Sequence, residues 1–421
     1  MISKHITKSI GLIVILLTLA FSSNAQIKAD WQRDLDSLAV WLPQKHYNMF
    51  LYHDRDFFNK GIAQLKQDAE KCSNTEMTLK LQQFLVMFGD SHTNVNFRDA
   101  MSPNRIYPIG LACYDNDYYI IGTIKKYQSL LGVKLKAING YSMKRIESRF
   151  STLVVADSRS SILNAVPNLM SFAQIHEFFK LASGDSIMIT YEKNGVESRK
   201  LIKAGPINPK QTISLRPNTL PMHIQNADKL FTETYMPDSK IYYIQYNKCW
   251  NRELEEKQGN KARAAKLPYF KDFTERIFKT LAEKDVKKLV FDLRYNGGGN
   301  SRPFTEFVKK MAQELKNHKD IKCYAVIGRR TFSSGILNSL DLKNYLNATY
   351  VGEVTSGCAN HLGEIRSFVL PTSKVGVIYS TKYFKQADIK DGPLKPDVVK
   401  ETSYTDFMRG TDPVLEWIKQ Q

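Results

Sequence analysis

The sequence predicts an α/β fold that carries an N-terminal helical segment and a β-rich module. Three observations predict it. From Lys240 onward, short apolar strand-like runs alternate with helical stretches, the pattern of buried parallel strands with helices on the faces of their sheet. One of those runs leads straight into Gly297-Gly298-Gly299 before the next helix begins at Pro303, and glycines there let the backbone adopt positive φ. Upstream, Asn139-Gly140 and Asn194-Gly195 punctuate short alternating segments and mark tight turns between strands.

Taken in order, residues 30–100 read as mostly helical. Trp31, Leu35, Leu38 and Trp41 recur at helical spacing, as do Phe57, Ile62 and Leu65, and an amphipathic helix spans 79–88. It ends at Gly89-Asp90-Ser91-His92-Thr93, and 94–97 then alternate like a strand. Strands follow at 109–113, 118–124 and 133–138, a helix at 143–150, and a hairpin at 186–191 and 198–202. The proline-bearing stretch 205–230 reads as a linker. Beyond it come strand 241–246, helix 268–283, strand 287–293, helix 303–316, strand 321–327, helix 334–345 and strand 349–352, closed by a hairpin at 368–370 and 375–380. This gives four regions: a leader at 1–25, a helical domain at 26–104, a β-rich domain at 105–205 and the α/β domain at 206–421.

The leader reading rests on Lys4, His5 and Lys8, an apolar run over 10–21, and the small residues before Ala25. That run is too short to span a bilayer comfortably, so an exported chain, periplasmic or extracellular, is expected, with no membrane span after cleavage. The five cysteines show no metal-site or disulfide-scaffold spacing, so no metal and no cofactor is expected. The net charge of +18 is spread along the chain rather than clustered between aromatics. A solvated basic surface is expected, not a nucleic-acid partner.

The chemistry converges on two turns. The strand at 321–327 ends in Thr331-Phe332-Ser333-Ser334-Gly335, where a hydroxyl at a strand-to-helix turn could act as nucleophile. A serine needs a base to take its proton and an oxyanion hole to hold its intermediate. The amides of Ser334, Gly298 and Gly297 are the candidate donors. One of these hydroxyls could instead simply cap the helix. The base could be His92, at a helix-to-strand turn, or His361, just downstream of the serine; spacing does not choose between them. His46 and His53 flank an aromatic cluster and read as packing or surface residues. A phosphate cradle is disfavoured, because the glycines lack the lysine–threonine phosphate-loop signature.

Asp292-Leu293-Arg294-Tyr295-Asn296-Gly297-Gly298-Gly299 followed by Thr331-Phe332-Ser333-Ser334 resembles the S41 peptidases, which include C-terminal processing proteases, tricorn-type proteases and interphotoreceptor retinoid-binding protein. Gly352-Glu353-Val354-Thr355-Ser356-Gly357, Asp90-Ser91-His92-Thr93 and Lys395-Pro396-Asp397 resemble further motifs of that family, and the segment from Gly132 to Gly140 resembles its PDZ-like domain. The resemblance implies a ClpP/crotonase-like β/α catalytic domain and a serine endopeptidase acting on protein or peptide. In the processing-protease branch a lysine follows the Gly-Glu-x-Thr-x-Gly turn. Cys358 stands there, and a neutral thiol is no substitute for the amine. The tricorn-like branch implies instead that His92 activates Ser333, that Ser91 helps orient the ring, and that Asp391 or Glu364 supplies the acidic member. Ile336 departs from the family, which often has an acidic residue there. Asp292 and Arg294 read as structural. The PDZ-like module would capture peptide or gate the site. The retinoid-binding relative supplies an alternative: a non-catalytic or weakly active binder of peptide or lipid on the same fold. A hydrolase of a non-peptide ester or amide is a third expectation.

Overall fold

A computed structural model describes residues 29–318, 320–386 and 391–421; the leader lies outside the described residues. The α/β class read from the sequence is the class observed. Helices Trp31–Lys45, Arg55–Ala69 and Asn74–Val86 open the described chain. Each begins where Asp30, Asp54 or Ser73 accepts a hydrogen bond from a first-turn amide, and Ser73 and Glu76 complete a reciprocal capping box. Their apolar faces, including Leu35, Phe58 and Leu85, form one core with Leu370, Val377 and Tyr379 from far downstream.

That shared core places the histidine turn. The two-residue strand Asn94–Val95 pairs antiparallel with Gly376–Phe384, with Asn94 opposite Ile378 and Val95 opposite Val377. Gly376–Phe384 pairs in turn with His361–Val369. His92, two residues before the short strand, is thereby fixed to a hairpin of the α/β domain.

The β-rich module is an antiparallel sheet whose main path runs Ile109–Tyr114, Asp117–Ile124, Lys134–Ile138, Ser186–Lys193, Val196–Lys203. Asn139 and Asn194 both adopt positive φ at the Asn-Gly turns. The stretch expected to be only a linker contains one more strand, Thr212–Ser214, paired antiparallel with Asp117–Ile124. Three residues are too few for alternation to show in sequence.

The third layer is a six-stranded sheet in the order Val398–Val399, Thr349–Gly352, Lys322–Ile327, Lys288–Asp292, Ile241–Tyr246, Phe231–Met236. Its first five strands are parallel and the last is antiparallel. Helices Phe270–Glu283, Arg302–Glu314 and Ser334–Leu346 close one face over a core of Phe273, Phe291, Phe304 and Leu340. The two sequence-singled turns follow the adjacent strands Lys288–Asp292 and Lys322–Ile327, so strand pairing alone makes them neighbours. The β-rich module is tied to the same end of the sheet: Ser158 and Ser161 donate to the Thr355 and Ser356 carbonyls at 2.8 and 2.7 Å.

Candidate active site

The serine turn is built by three hydroxyls with different fates. Thr331 donates to the Leu293 carbonyl at 2.8 Å and accepts from the Gly328 amide at 3.0 Å, clamping the two strand ends together. Ser334 donates to the Gly299 carbonyl at 2.8 Å. The Ser333 hydroxyl has no hydrogen-bond partner among the described residues and does not cap the helix it precedes. Its backbone is at φ 53°, ψ −125°, and the Gly335 amide closes the turn on the Phe332 carbonyl at 2.9 Å. This is the first central position of a type II′ turn, where glycine is the usual residue. A serine held there with an idle hydroxyl is strained without a local structural return, which is the pattern of a functional position.

The glycine loop lies directly against it. A Cβ on Gly298 (φ +107°) would fall 2.9 Å from Ser333 Cβ and 3.2 Å from the Ser334 amide nitrogen, so the two turns meet only because residue 298 has no side chain. The Asn296 carbonyl accepts from the Phe332 amide at 2.9 Å, while the Asn296 side chain donates to the Tyr246 carbonyl at 2.9 Å. Asn296 Oδ1 also accepts from the Gly298 amide at 3.0 Å. The Gly298 amide, expected as an open oxyanion donor, is therefore already engaged by the loop's own asparagine. The Gly297 and Ser334 amides have no acceptor among the described residues.

His92 is buried and stacks on Phe332, the neighbour of the serine, at 4.6 Å between ring centroids and 22° between planes. On it also stacks His361, at 5.7 Å. Neither ring nitrogen of His92 has a well-formed hydrogen bond among the described residues; the Leu362 main chain favours its protonated form only slightly. Burial lowers the ring to about 4 despite the nearby Asp90 charge, so at neutral pH the imidazole is an unprotonated acceptor. His361 is differently placed. Its Nδ1 lies 3.0 Å from the Cys358 carbonyl, which fixes one nitrogen as a donor to backbone.

The His92 turn is held by Asp90, whose carboxylate accepts from the His92 amide and from His46 Nε2, both at 2.9 Å, and from Thr93. Burial acts to raise this carboxyl, but the bonds from His46, Thr93 and the His92 amide, with the nearby Ser380 hydroxyl, outweigh it and bring it to about 2. His46, expected only to pack, is thus part of the turn's support. Asp157 of the β-rich module comes close to Ser91; burial pushes its carboxyl up to about 6, against a smaller lowering by the Ser91 side chain. The two acidic candidates sit elsewhere. Asp391 is exposed and accepts from Asn360, and Glu364 is exposed with Lys382 at 4.0 Å. Neither is hydrogen-bonded to His92: Glu364 points to solvent from the strand His361–Val369, and Asp391 lies exposed beyond the hairpin. At Cys358 burial lifts the thiol to about 12, which leaves it protonated at neutral pH and without base character. Ile336 is fully buried in the sheet–helix core.

Asp292 and Arg294 lie beneath the glycine loop. They form an ion pair at 2.8 Å, and Arg294 makes two further bonds, at 3.1 and 3.0 Å, to Asp412. A cavity of about 550 Å³ opens beside the loop, lined by Gly297, Gly298 and Phe332 from the α/β domain, by Ser91 and Thr93 from the histidine turn, and by Leu153 and Val154 from the β-rich module. Asn296 and Phe332 were inside the sequence motifs but carried no assigned role there. Asp157 had no sequence signal, because only packing of the β-rich module brings it to Ser91.

About nine-tenths of the chain has counterparts among solved structures. Mature CPAF complexed with lactacystin superposes with a TM-score of 0.64 at 10% identity, covering 92% of this chain and 96% of that one. Mature CPAF alone gives 0.59 at 11% identity over 92% and 95%. The photosystem II D1 C-terminal processing protease aligns over 91% and 98% at 13% identity, with a TM-score of 0.39. The fold is S41-like. No protein-family model and no curated protein matches the sequence. Among the described residues no group of side chains has the makings of a metal site, and no helix is long and apolar enough to cross a membrane.

A pH dependence follows from the buried ring. His92 stays neutral until about pH 4 in the folded chain, whereas a free histidine protonates near 6.5. Between those values the unfolded state binds the proton and the folded state does not, so His92 subtracts stability progressively as pH falls from about 6.5 to 4. The imidazole resonance of His92 followed by NMR is expected to titrate near pH 4. A midpoint at 6 or above would contradict the closed, dry environment.

Proposed function

We propose that this chain is an exported serine endopeptidase in which Ser333 attacks a peptide carbonyl and His92 takes its proton. The observation that carries this reading is the idle Ser333 hydroxyl, held in a glycine-type conformation against Gly298. An unprotonated His92 next to the serine turn, its nitrogens unused, supplies an acceptor. The Gly297 and Ser334 amides are the available donors for the tetrahedral oxyanion, and the Gly298 amide joins them when Asn296 Oδ1 releases it. His92 then gives that proton to the leaving amine as the peptide C–N bond breaks, and water, deprotonated by the same histidine, attacks the acyl-enzyme and frees the acid product and the Ser333 hydroxyl. Asp90 positions the His92 main chain, and Ser91 and Asp157 brace the turn. In this assignment neither Asp391 nor Glu364 acts on the ring. The peptide would lie in the cavity between the glycine loop and the β-rich module.

One observation favours the second reading, a non-catalytic binder: Ser333 is not hydrogen-bonded to His92. Catalytic hydrogen bonds commonly tighten only once substrate is bound, so chemistry separates the two readings. A fluorophosphonate probe is expected to label the wild-type protein at Ser333. Labelling should be lost in His92→Ala and kept in His361→Ala. A wild-type protein inert both to the probe and to denatured casein supports the binder; loss of labelling in His361→Ala alone moves the base to His361.

A further inference from the structure

The cavity beside the glycine loop carries a charge pattern that peptide hydrolysis does not by itself require. Arg98, Lys248 and Arg330 all line it, and no aspartate or glutamate does. None of the three has a carboxylate within ion-pair distance among the described residues, whereas the neighbouring Arg329 and Arg294 are paired, with Glu353 at 2.9 Å and with Asp412 at 3.0 Å. The three arrive from separate elements. Arg98 lies on the short helix Phe97–Ala100 after the histidine turn. Arg330 is three residues before Ser333, with its guanidinium 5.4 Å from the Tyr295 ring centroid. Lys248 precedes Cys249, whose amide donates to the Gly298 carbonyl at 3.1 Å and whose carbonyl accepts from the Asn300 amide at 2.8 Å. Two of the cations are therefore anchored through backbone to the serine turn and to the glycine loop.

Like charges gathered in one cleft with apolar walls repel one another and create a focused positive potential. An anionic ligand removes that cost, and Leu153, Val154 and Leu169 on the facing wall leave room for apolar side chains between the charges. Resting on the peptidase reading above, we propose that the cleft selects peptide segments carrying carboxylates, so that Arg98, Lys248 and Arg330 determine specificity for acidic substrates. The carboxylates can come from aspartate and glutamate side chains or from a free C-terminus.

The test uses the full chain as Ser333→Ala, which keeps binding independent of turnover. Binding of four rhodamine-labelled peptides is followed by fluorescence anisotropy: a sequence rich in Asp and Glu and its Asn/Gln counterpart, each with a free or an amidated C-terminus. An acidic peptide is expected to bind about tenfold more tightly than its amide counterpart, the combined effect of three solvent-accessible charge contacts. The preference should shrink as salt is raised, weaken in Lys248→Glu and disappear in Arg98→Gln/Lys248→Gln/Arg330→Gln. Tighter binding of the acidic sequence with both peptides amidated makes side chains the source; tighter binding of the free than of the amidated Asn/Gln peptide makes the terminal carboxylate the source. Equal binding of all four peptides, or a preference that survives the triple variant, overturns the proposal. The peptidase reading is tested apart from this, by probe labelling of Ser333.

Discussion

Replacing Ser333 by alanine is expected to lower peptide hydrolysis by about 10³-fold or more, with almost no change in stability. The stability half of this expectation comes from the structure. A hydroxyl without a hydrogen-bond partner contributes nothing that alanine removes, and the backbone at φ 53°, ψ −125° suits alanine no better than serine. Glycine differs: Ser333→Gly is expected to abolish activity equally while raising stability by about 1 kcal/mol, because the turn position no longer carries a Cβ in a disfavoured region. Activity on denatured casein together with denaturant unfolding tests both halves. A Ser333→Gly protein less stable than wild type would show that the serine supports the turn, and a Ser333→Ala protein that still cleaves would remove Ser333 as the nucleophile. Thr331→Ala makes the useful contrast. Its hydroxyl joins the two strand ends, so its loss should cost stability, about 1 to 3 kcal/mol for a buried group that leaves both partners unsatisfied.

The second large effect is expected from Asp412. Its carboxylate is buried, accepts two bonds from Arg294 and lies 3.0 Å from His223 Nδ1. Burial acts to raise this carboxyl, but the Arg294 and His223 charges and hydrogen bonds hold it well below the usual range. Because the folded value is depressed, the stabilisation is present at neutral pH and is lost only as pH falls far into the acid range. Asp412→Ala leaves the Arg294 guanidinium under the glycine loop with Asp292 as its remaining carboxylate. Breaking a buried pair from one side typically costs about 3 to 5 kcal/mol. Asp412 also caps the helix Pro413–Lys419, which adds to the loss. The measurement is the denaturant midpoint at pH 7, and Asp285→Ala, which removes a surface partner of Lys240, should leave that midpoint close to wild type. A wild-type midpoint for Asp412→Ala would mean that Arg294 is satisfied without it.

These two outcomes bear on different layers of the molecule. Ser333 concerns the chemistry at the turn, and Asp412 concerns the bed on which the turn and the glycine loop rest. Arg294 bonds to Asp292 at the end of one strand and to Asp412 at the start of the last helix, so the C-terminal helix is wired to the loop that faces the serine. Loss of Asp412 should therefore lower activity as well, through a looser loop.

Much of this was legible in the sequence because it is local. Strand, glycine turn and helix follow one another within a dozen residues, and the apolar periodicity, the three glycines and the Thr-x-Ser turn each have a short-range physical meaning. Parallel pairing of the two strands then places the glycine loop beside the serine without further information. The idle Ser333 hydroxyl was not legible, because a capping serine and a free one look the same until the turn's φ and ψ are known. Nor was the choice between histidines. His92 reaches the serine turn because Asn94–Val95 pairs with Gly376–Phe384 and because the helical segment buries its apolar face on that hairpin. Both contacts join distant parts of the chain and leave no trace in local spacing. The acidic residues fall in the same class: Glu364 on the hairpin and Asp391 beyond it are exposed, while Asp90 and Asp157 close on the histidine turn through packing. The sequence by itself determined the turns and the order of strands, since those depend on which conformations each residue allows. Only the tertiary structure decided which charged and titratable groups meet, since that depends on register and burial between segments far apart in the chain.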